Sequence, residues 1–133
     1  MTKSLRLAFV HEYLVRECIS LRLDTFRDIQ RHWQLEPEEI QRLEIRSAPT
    51  FVENLIGAGA CFERFGDLGD VPGFYRARGL WWIDIDERLA RRGVILPIRD
   101  PERPAFIQSL RVFRSVSDQR PFTLRVRQER IAA

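Results

Sequence analysis

Asp84 and Asp86 are the side chains in this sequence best suited by type and spacing to metal chemistry. Residues two apart in a β-strand point to the same face, so both carboxylates would lie on one side of a strand. Paired carboxylates bind Mg²⁺ in enzymes that transfer phosphoryl groups. No βαβ unit surrounds the pair, so a solvated strand end is the favoured interpretation. A magnesium-dependent enzyme is the alternative.

The other reactive residue types form no catalytic or cofactor-binding pattern. His11 and His32 lie on separate predicted helices, and Cys18 and Cys61 form no Cys-x-x-Cys pair. The glycines between residues 66 and 79 match neither G-x-G-x-x-G nor G-x-x-x-x-G-K. We therefore expect no cofactor, and two buried free thiols in preference to a disulfide.

The distribution of arginine indicates a binding function. Residues 1 to 87 carry 11 Lys or Arg against 15 Asp or Glu, a balance of −4, whereas residues 88 to 133 carry 11 Arg against 4 acids, a balance of +7. Guanidinium groups suit bidentate contacts with phosphate and stacking on bases, and concentrated positive charge attracts nucleic acid. The C-terminal third is therefore the part of the chain expected to bind a polyanion.

The N-terminal half shows the apolar spacing of amphipathic helices. Apolar residues recur every three or four positions, Asp24 is suited to a helix N-cap, and Pro37 is suited to a first helical position. The predicted helices cover roughly residues 8–20, 24–33, 37–43 and 50–65. This helical part, residues 1–65, is followed by a glycine-rich loop or hinge at residues 66–79.

The C-terminal half shows the alternation of β-strands. Apolar and polar residues alternate in four runs, and short connections that contain Pro101 and Pro104 favour antiparallel pairing. The predicted strands lie near residues 81–86, 94–98, 106–112 and 122–126, in a sheet region of 80–127 that leaves a tail at 128–133. The predicted fold class is α+β, with N-terminal helices packed on a C-terminal antiparallel β-meander of about four strands in one domain, 1–133.

The same alternation predicts which arginines point away from the core. If Leu110 and Leu124 face the core, the arginines between the apolar positions face the other way. The residues expected on this outer face are Arg99, Arg111, Arg125 and Arg127. Four guanidinium groups on one face repel one another unless acids neutralise them, and the acids are either a phosphate backbone or the chain's own acidic helices. The sequence leaves both alternatives open.

The chain shows no pattern of a membrane-spanning or exported segment. No run of about 18 uncharged apolar residues occurs. Lys3 and Arg6 precede no signal-peptide core, because His11 and Glu12 interrupt it. We therefore expect a cytoplasmic protein with no membrane partner.

Residues 91–111 resemble the core N-terminal subdomain of bacterial-type DNA primases and of primase-like replication proteins from phages and plasmids. The resemblance rests on an apolar-Pro-apolar-basic-Asp strand at residues 94–100, a turn, and a strand that ends in Arg111. Upstream segments at residues 35–40, 46–49, 71–75 and 81–82 follow in the order of phage and plasmid members. The similarity covers roughly residues 11–127.

The resemblance implies a module that guides single-stranded template and lies between a zinc ribbon and a Toprim catalytic domain. The positions it implies as template contacts are Arg92, Arg99 and Arg111. Neither the zinc ribbon nor the Toprim domain occurs in this sequence, so we expect no primer synthesis by this chain alone and a Toprim- or helicase-containing replication protein as a partner. With the outer-face residues added, the candidate nucleic-acid-binding set is Arg92, Arg99, Arg111, Arg125 and Arg127.

The sequence therefore predicts a non-catalytic, primase-related module that binds single-stranded DNA or docks on a replication partner. The main alternative is a protein-interaction module from a split or degraded mobile-element gene. In that alternative the acidic helices and the arginine-rich sheet mainly pair with each other.

Overall fold

A computed structural model describes residues 2–125 of the chain, and within them helices mostly precede strands. The helices are α1 (Lys3–Tyr13), which continues as a π-helical turn (Leu14–Cys18), α2 (Leu23–Trp33), α3 (Pro37–Arg42), α4 (Phe51–Phe65) and a short 3-10 turn (Glu87–Leu89). The strands are β1 (Arg46–Ser47), β2 (Phe74–Ala77), β3 (Leu80–Ile83), β4 (Val94–Arg99), β5 (Ile107–Phe113) and β6 (Phe122–Arg125). The α+β fold class predicted from the sequence is confirmed.

The strands form a four-stranded antiparallel sheet of order β1-β4-β5-β6 and a separate β2-β3 hairpin. The strand predicted near residues 81–86 is β3, which ends at Ile83 and pairs with β2 instead of joining the meander. Its place beside β4 is taken by β1. β2 occupies part of the segment predicted as a glycine-rich loop, because Arg78 and Gly79, both with positive φ, form a two-residue hairpin turn there.

Helix starts follow the local sequence in most places. Pro37 occupies the start of α3 as predicted, and Thr50 caps α4 by accepting a hydrogen bond from the Glu53 backbone N–H at 3.1 Å. Asp24 is not the N-cap of α2. The helix begins at Leu23, and Arg22 occupies the N-cap position. Asp24 instead lies in the first helical turn, where its negative charge favours the positive end of the helix dipole.

The four-stranded sheet lies between two apolar clusters. The first cluster joins α1, the π-helical turn, α4 and the hairpin to one face of the sheet, and it includes Ile95 and Leu110. The second joins α2 and α3 to the other face, and it centres on Ile29, Ile40 and Val94. The neighbouring residues Val94 and Ile95 are both fully buried, as expected for a strand covered on both faces.

The connection into β4 has no room for a side chain at Gly93. A Cβ atom there would lie 2.5 Å from the Leu89 carbonyl oxygen and 2.7 Å from the Ala48 Cβ. Gly59, on an exposed part of α4, has nothing within 4 Å of the corresponding position. The fold therefore excludes a side chain at Gly93 and leaves open space for one at Gly59.

We expect Gly93→Ala to lower the free energy of unfolding by about 2 kcal/mol or more, because backbone must shift to admit the methyl group. Gly59→Ala is the matched control and should raise it by about 0.5 to 1 kcal/mol, since alanine is the better helix former. Urea unfolding of both variants measures the difference. A neutral Gly93→Ala would contradict the close packing at the start of β4.

His11 is a buried histidine on α1. Its Nε2–H donates to the Pro72 carbonyl oxygen at 2.8 Å, and burial of the ring favours its neutral form. Burial lowers the pKa of His11 to about 4 from an ordinary value of 6.5. Between these values the unfolded chain binds a proton that the folded chain does not, so the stability contributed by His11 is lost as the pH falls through this range.

We expect the free energy of unfolding to fall by about 3 kcal/mol through His11 alone between pH 7 and pH 4. His11→Gln retains an N–H donor for Pro72 but does not titrate, so this variant should lose that part of the pH dependence. Chemical denaturation of both proteins at several pH values isolates the difference. Equal pH dependence in the two proteins would contradict a neutral buried ring.

Candidate nucleic-acid interface

The register of the sheet separates the arginines that the sequence placed together. Leu96 lies opposite Arg111, and Pro97 lies opposite Leu110, so Arg111 and Leu110 are on different faces. Arg99 lies opposite the buried Ile107 and therefore on the face of the first apolar cluster. The prediction that Arg99 and Arg111 share one face is wrong. β4 is apolar on both faces, so its sequence does not show which of its residues lie on the same face of the sheet as Leu110.

Arg99 is held by the protein's own acids. Its guanidinium lies 2.8 Å from a carboxylate oxygen of Glu12 on α1 and 2.8 Å from one of Glu44, just after α3. A further N–H of Arg99 donates to the Pro104 carbonyl at 3.0 Å. The hydrogen bond from Arg99 lowers the pKa of Glu44, and the bonds to Glu44 and Glu12 raise the pKa of Arg99. Arg99 thus ties β4 to two helical segments and is not free for a ligand.

The other predicted outer-face residues differ in what surrounds them. Arg111 is exposed between Leu96 and Thr123, and within residues 2–125 it makes no ion pair. Arg125 lies at the register position opposite Ser109, and Arg127 lies outside the described residues. The expected face of four arginines is therefore not formed within the described part of the chain.

Phe113, at the end of β5, packs against the second apolar cluster. Its ring meets Trp33 edge-on at a centroid distance of 4.9 Å, and the Trp33 indole N–H donates to the Val116 carbonyl at 2.8 Å. The ring of Phe113 is therefore committed to holding α2 against the sheet.

A different group of arginines converges at one end of the sheet. The pairs Val94–Phe113 and Val112–Phe122 bring the start of β4, the end of β5 and the start of β6 together. Arginines flank each of these strand ends, and the 3-10 turn adds one more. We call this group the basic end, and its members are Arg88, Arg91, Arg92, Arg114 and Arg120.

Two of these arginines line a groove of about 560 Å³. Arg88 and Arg114 border it together with Leu89, Phe122 and Asp86. The guanidinium of Arg114 lies 5.2 Å from the centroid of the Phe122 ring, a cation–π contact, and it also donates to the Arg120 carbonyl oxygen at 3.2 Å. The part of the basic end that includes Arg88 and Arg114 is therefore a shallow depression and not a flat surface.

The loop between β5 and β6 is shaped by one carboxylate. Asp118 accepts hydrogen bonds from the backbone N–H groups of Arg114 and Arg120, both at 2.9 Å. These two bonds lower the pKa of Asp118, and its ion pair with the Arg114 side chain at 3.3 Å adds to the effect. Asp118 therefore fixes both arginines at the end of the sheet.

Charge remains uncompensated at the basic end. Asp86 pairs with Arg88 at 2.7 Å, and Asp118 pairs with Arg114. Arg91, Arg92 and Arg120 are exposed and make no ion pair with any residue in the range 2–125. With Glu87 included, five arginines meet three acids here, a balance of +2.

The acidic pair at Asp84 and Asp86 does not have the predicted strand geometry. β3 ends at Ile83, so neither carboxylate belongs to a strand. Asp86 begins the 3-10 turn and accepts a hydrogen bond from the Arg88 backbone N–H at 2.9 Å. Among residues 2–125, no three His, Cys, Asp or Glu side chains are grouped to hold a metal ion. The two cysteines are free thiols with sulfur atoms 3.9 Å apart.

Of the predicted site residues within the range 2–125, Arg92 alone belongs to the basic end. The sequence reasoning missed Arg88, Arg91, Arg114 and Arg120 because the alternation pattern considered only arginines inside strands. The available signal was their position immediately before or after each predicted strand. Once the strands are antiparallel neighbours, such flanking residues must meet at an end of the sheet.

Comparison of the chain with protein-family models, curated protein sequences and solved structures finds no match. Among the described helices, none has the length and apolar character needed to cross a membrane.

We expect Arg99→Met to lower the free energy of unfolding by about 2 kcal/mol, because Glu12 and Glu44 are left facing each other without their cation. Arg111→Met is the matched control and should change it by less than about 0.5 kcal/mol. Urea unfolding compares the two variants, and NMR titration should show the pKa of Glu44 rising in Arg99→Met. Equal effects of the two substitutions would contradict the structural role of Arg99.

Proposed function

We propose that the chain is a non-catalytic module that binds the phosphate backbone of single-stranded nucleic acid at the basic end. The observation that carries the proposal is the convergence of five arginines at one end of the sheet, three of them without an acidic partner within residues 2–125. Exposed guanidinium groups that lack internal partners gain most from phosphate, because no existing ion pair has to break.

The dimensions favour a short contact with one strand. Adjacent strands lie about 4.8 Å apart, so the three strand ends span about 10 Å. Phosphates of a single strand lie farther apart than the rise of about 3.4 Å per strand in a duplex, so this is room for no more than about three nucleotides. Phe122, which is half-buried in the groove beside Arg114, offers an aromatic surface for a base. Binding through so few phosphates is expected to be weak and strongly salt-dependent.

The resemblance to primase-like replication proteins is our reason for proposing single-stranded DNA as the ligand and catalysis by a separate protein. A Toprim- or helicase-containing replication protein is the partner we propose on that basis. Arg92, implied as a template contact by the resemblance, is part of the basic end. Arg99 is implied as well, but its pairing with Glu12 and Glu44 is better explained by a structural role.

A protein-interaction module is the second candidate function. The ion pairs of Arg99 with Glu12 and Glu44 favour this function, because they join the sheet to the acidic helical half of the chain. They neutralise only one of the sheet's arginines, however, and the basic end keeps its charge. The two functions also use different surfaces and are compatible in one chain.

The proposal predicts that binding of the oligonucleotide dT12 weakens as salt rises, and that Arg91→Ala, Arg92→Ala and Arg120→Ala together reduce both the affinity and the salt dependence. Each lost phosphate contact on a single strand should make the slope of log K against log salt shallower by about 0.7, or about 2 in total. Fluorescence anisotropy at several salt concentrations measures both quantities.

The matched control removes three other exposed arginines that make no ion pair within the described residues, Arg42, Arg64 and Arg103, also changed to Ala. This control has the same net charge as the test variant but an intact basic end. It should bind dT12 with nearly the wild-type slope. No binding by the wild type at low salt, or equal losses in the two triple variants, would refute the proposal.

A further inference from the structure

A second groove lies between the start of α4 and the β2-β3 hairpin, and it adjoins the groove of the basic end at Asp86. Its volume is about 720 Å³. Its apolar wall is made by one face of the hairpin and by the first turn of α4. The main side chains of that wall are Phe51, Leu55, Tyr75, Leu80 and Trp82. Phe51, Tyr75 and Leu80 are 52%, 46% and 47% exposed. These side chains therefore remain in contact with water unless a ligand covers them.

The aromatic side chains of this groove are held in place by the fold. Tyr75 lies directly opposite Trp82 in the hairpin, so both point to the same face. The ring of Phe51 on α4 packs against Trp82 at a centroid distance of 5.2 Å. The Trp82 indole N–H donates to the Ala77 carbonyl at 3.1 Å, which fixes the indole within the hairpin. Because these rings are already held in place, binding a ligand to them costs little side-chain conformational entropy.

The charge at the rim decides what kind of ligand fits. Asp84, Asp86 and Glu87 line the groove, and Arg78 also contributes to its wall. Asp86 is paired with Arg88, whereas Asp84 and Glu87 are exposed and make no ion pair with any residue in the described range. Carboxylates beside aromatic rings attract cations and repel phosphate. The groove is therefore unsuited to a nucleic-acid backbone and suited to a basic side chain.

We propose that this groove binds a segment of a partner protein that carries arginine or lysine next to an apolar residue. The cation lies against the aromatic rings and faces Asp84 and Glu87, while the apolar neighbour covers Leu80 and Leu55. This site adjoins the basic end at Asp86, which lines both grooves, but none of the five arginines of the basic end lines it, and it does not depend on nucleic-acid binding. The chain thus presents one surface of each sign, with an anionic ligand at the sheet end and a cationic protein segment at the hairpin.

The test uses three capped synthetic heptapeptides, GLRFLRG, GLEFLEG and GGRGGRG, titrated into the full chain by isothermal calorimetry. GLRFLRG should bind at least fivefold more tightly than the acidic peptide, which lacks the cations, and than the glycine-rich peptide, which lacks the apolar residues. Equal binding of GLRFLRG and GLEFLEG, or of GLRFLRG and GGRGGRG, would overturn the proposal.

Two variants locate the site. Asp84→Asn combined with Glu87→Gln should weaken GLRFLRG at least fivefold, and Trp82→Leu should do the same through loss of the ring. Asp24→Asn combined with Asp28→Asn, which removes two exposed acids of α2, is the charge-matched control and should bind like wild type.

Binding of dT12 distinguishes this proposal from the proposed function. Asp84→Asn with Glu87→Gln should bind dT12 no more weakly than wild type, since it removes negative charge and leaves all five arginines of the basic end in place. If Asp84→Asn with Glu87→Gln leaves the peptide affinity unchanged, the groove proposal fails and the nucleic-acid proposal is untouched. If Trp82→Leu, shown to be folded by circular dichroism, weakens dT12 as much as the peptide, the groove belongs to the nucleic-acid surface and the partner-segment proposal is wrong.

Discussion

Burial of β4 on both faces is the constraint on which the rest of the structure depends. Val94 and Ile95 are consecutive and both fully buried, one in each apolar cluster. A strand in this position needs helices on either side, and α1 with α4 supplies one layer while α2 with α3 supplies the other. Gly93 admits the strand between Leu89 and Ala48 because it has no side chain.

Two-sided burial also determines where positive charge can lie. Much of each sheet face near β4 is covered, so arginines within the strands must pair with an acid, as Arg99 does, or remain at an open position, as Arg111 does. Arginines in the turns meet no such restriction. They collect at the end where β4 and β6 begin and β5 ends, and Asp118 fixes two of them there through its backbone hydrogen bonds. The positive surface is thus a consequence of topology.

The sequence predicted the positions of helices and strands better than the sheet face on which each strand residue lies. The α+β class, the helix beginning at Pro37 and three of the meander strands followed from periodicity and capping chemistry. The face of Arg99 did not, because a strand apolar on both sides carries no alternation that identifies its neighbour's face. The β2-β3 hairpin was missed because its turn uses Arg78 before Gly79 in place of the usual asparagine or aspartate. Both grooves arise from residues distant in sequence, which local patterns do not join.

The double-sided burial of β4 can be measured directly with methyl-to-methyl nuclear Overhauser effects in a methyl-labelled sample. The structure predicts that the methyl groups of Val94 contact those of Ile29 and Ile40, whereas those of Ile95 contact only members of the first cluster, such as Leu110. Contacts from both Val94 and Ile95 to Ile29 and Ile40 would contradict the layered arrangement, and with it the position of the arginines at the end of the sheet.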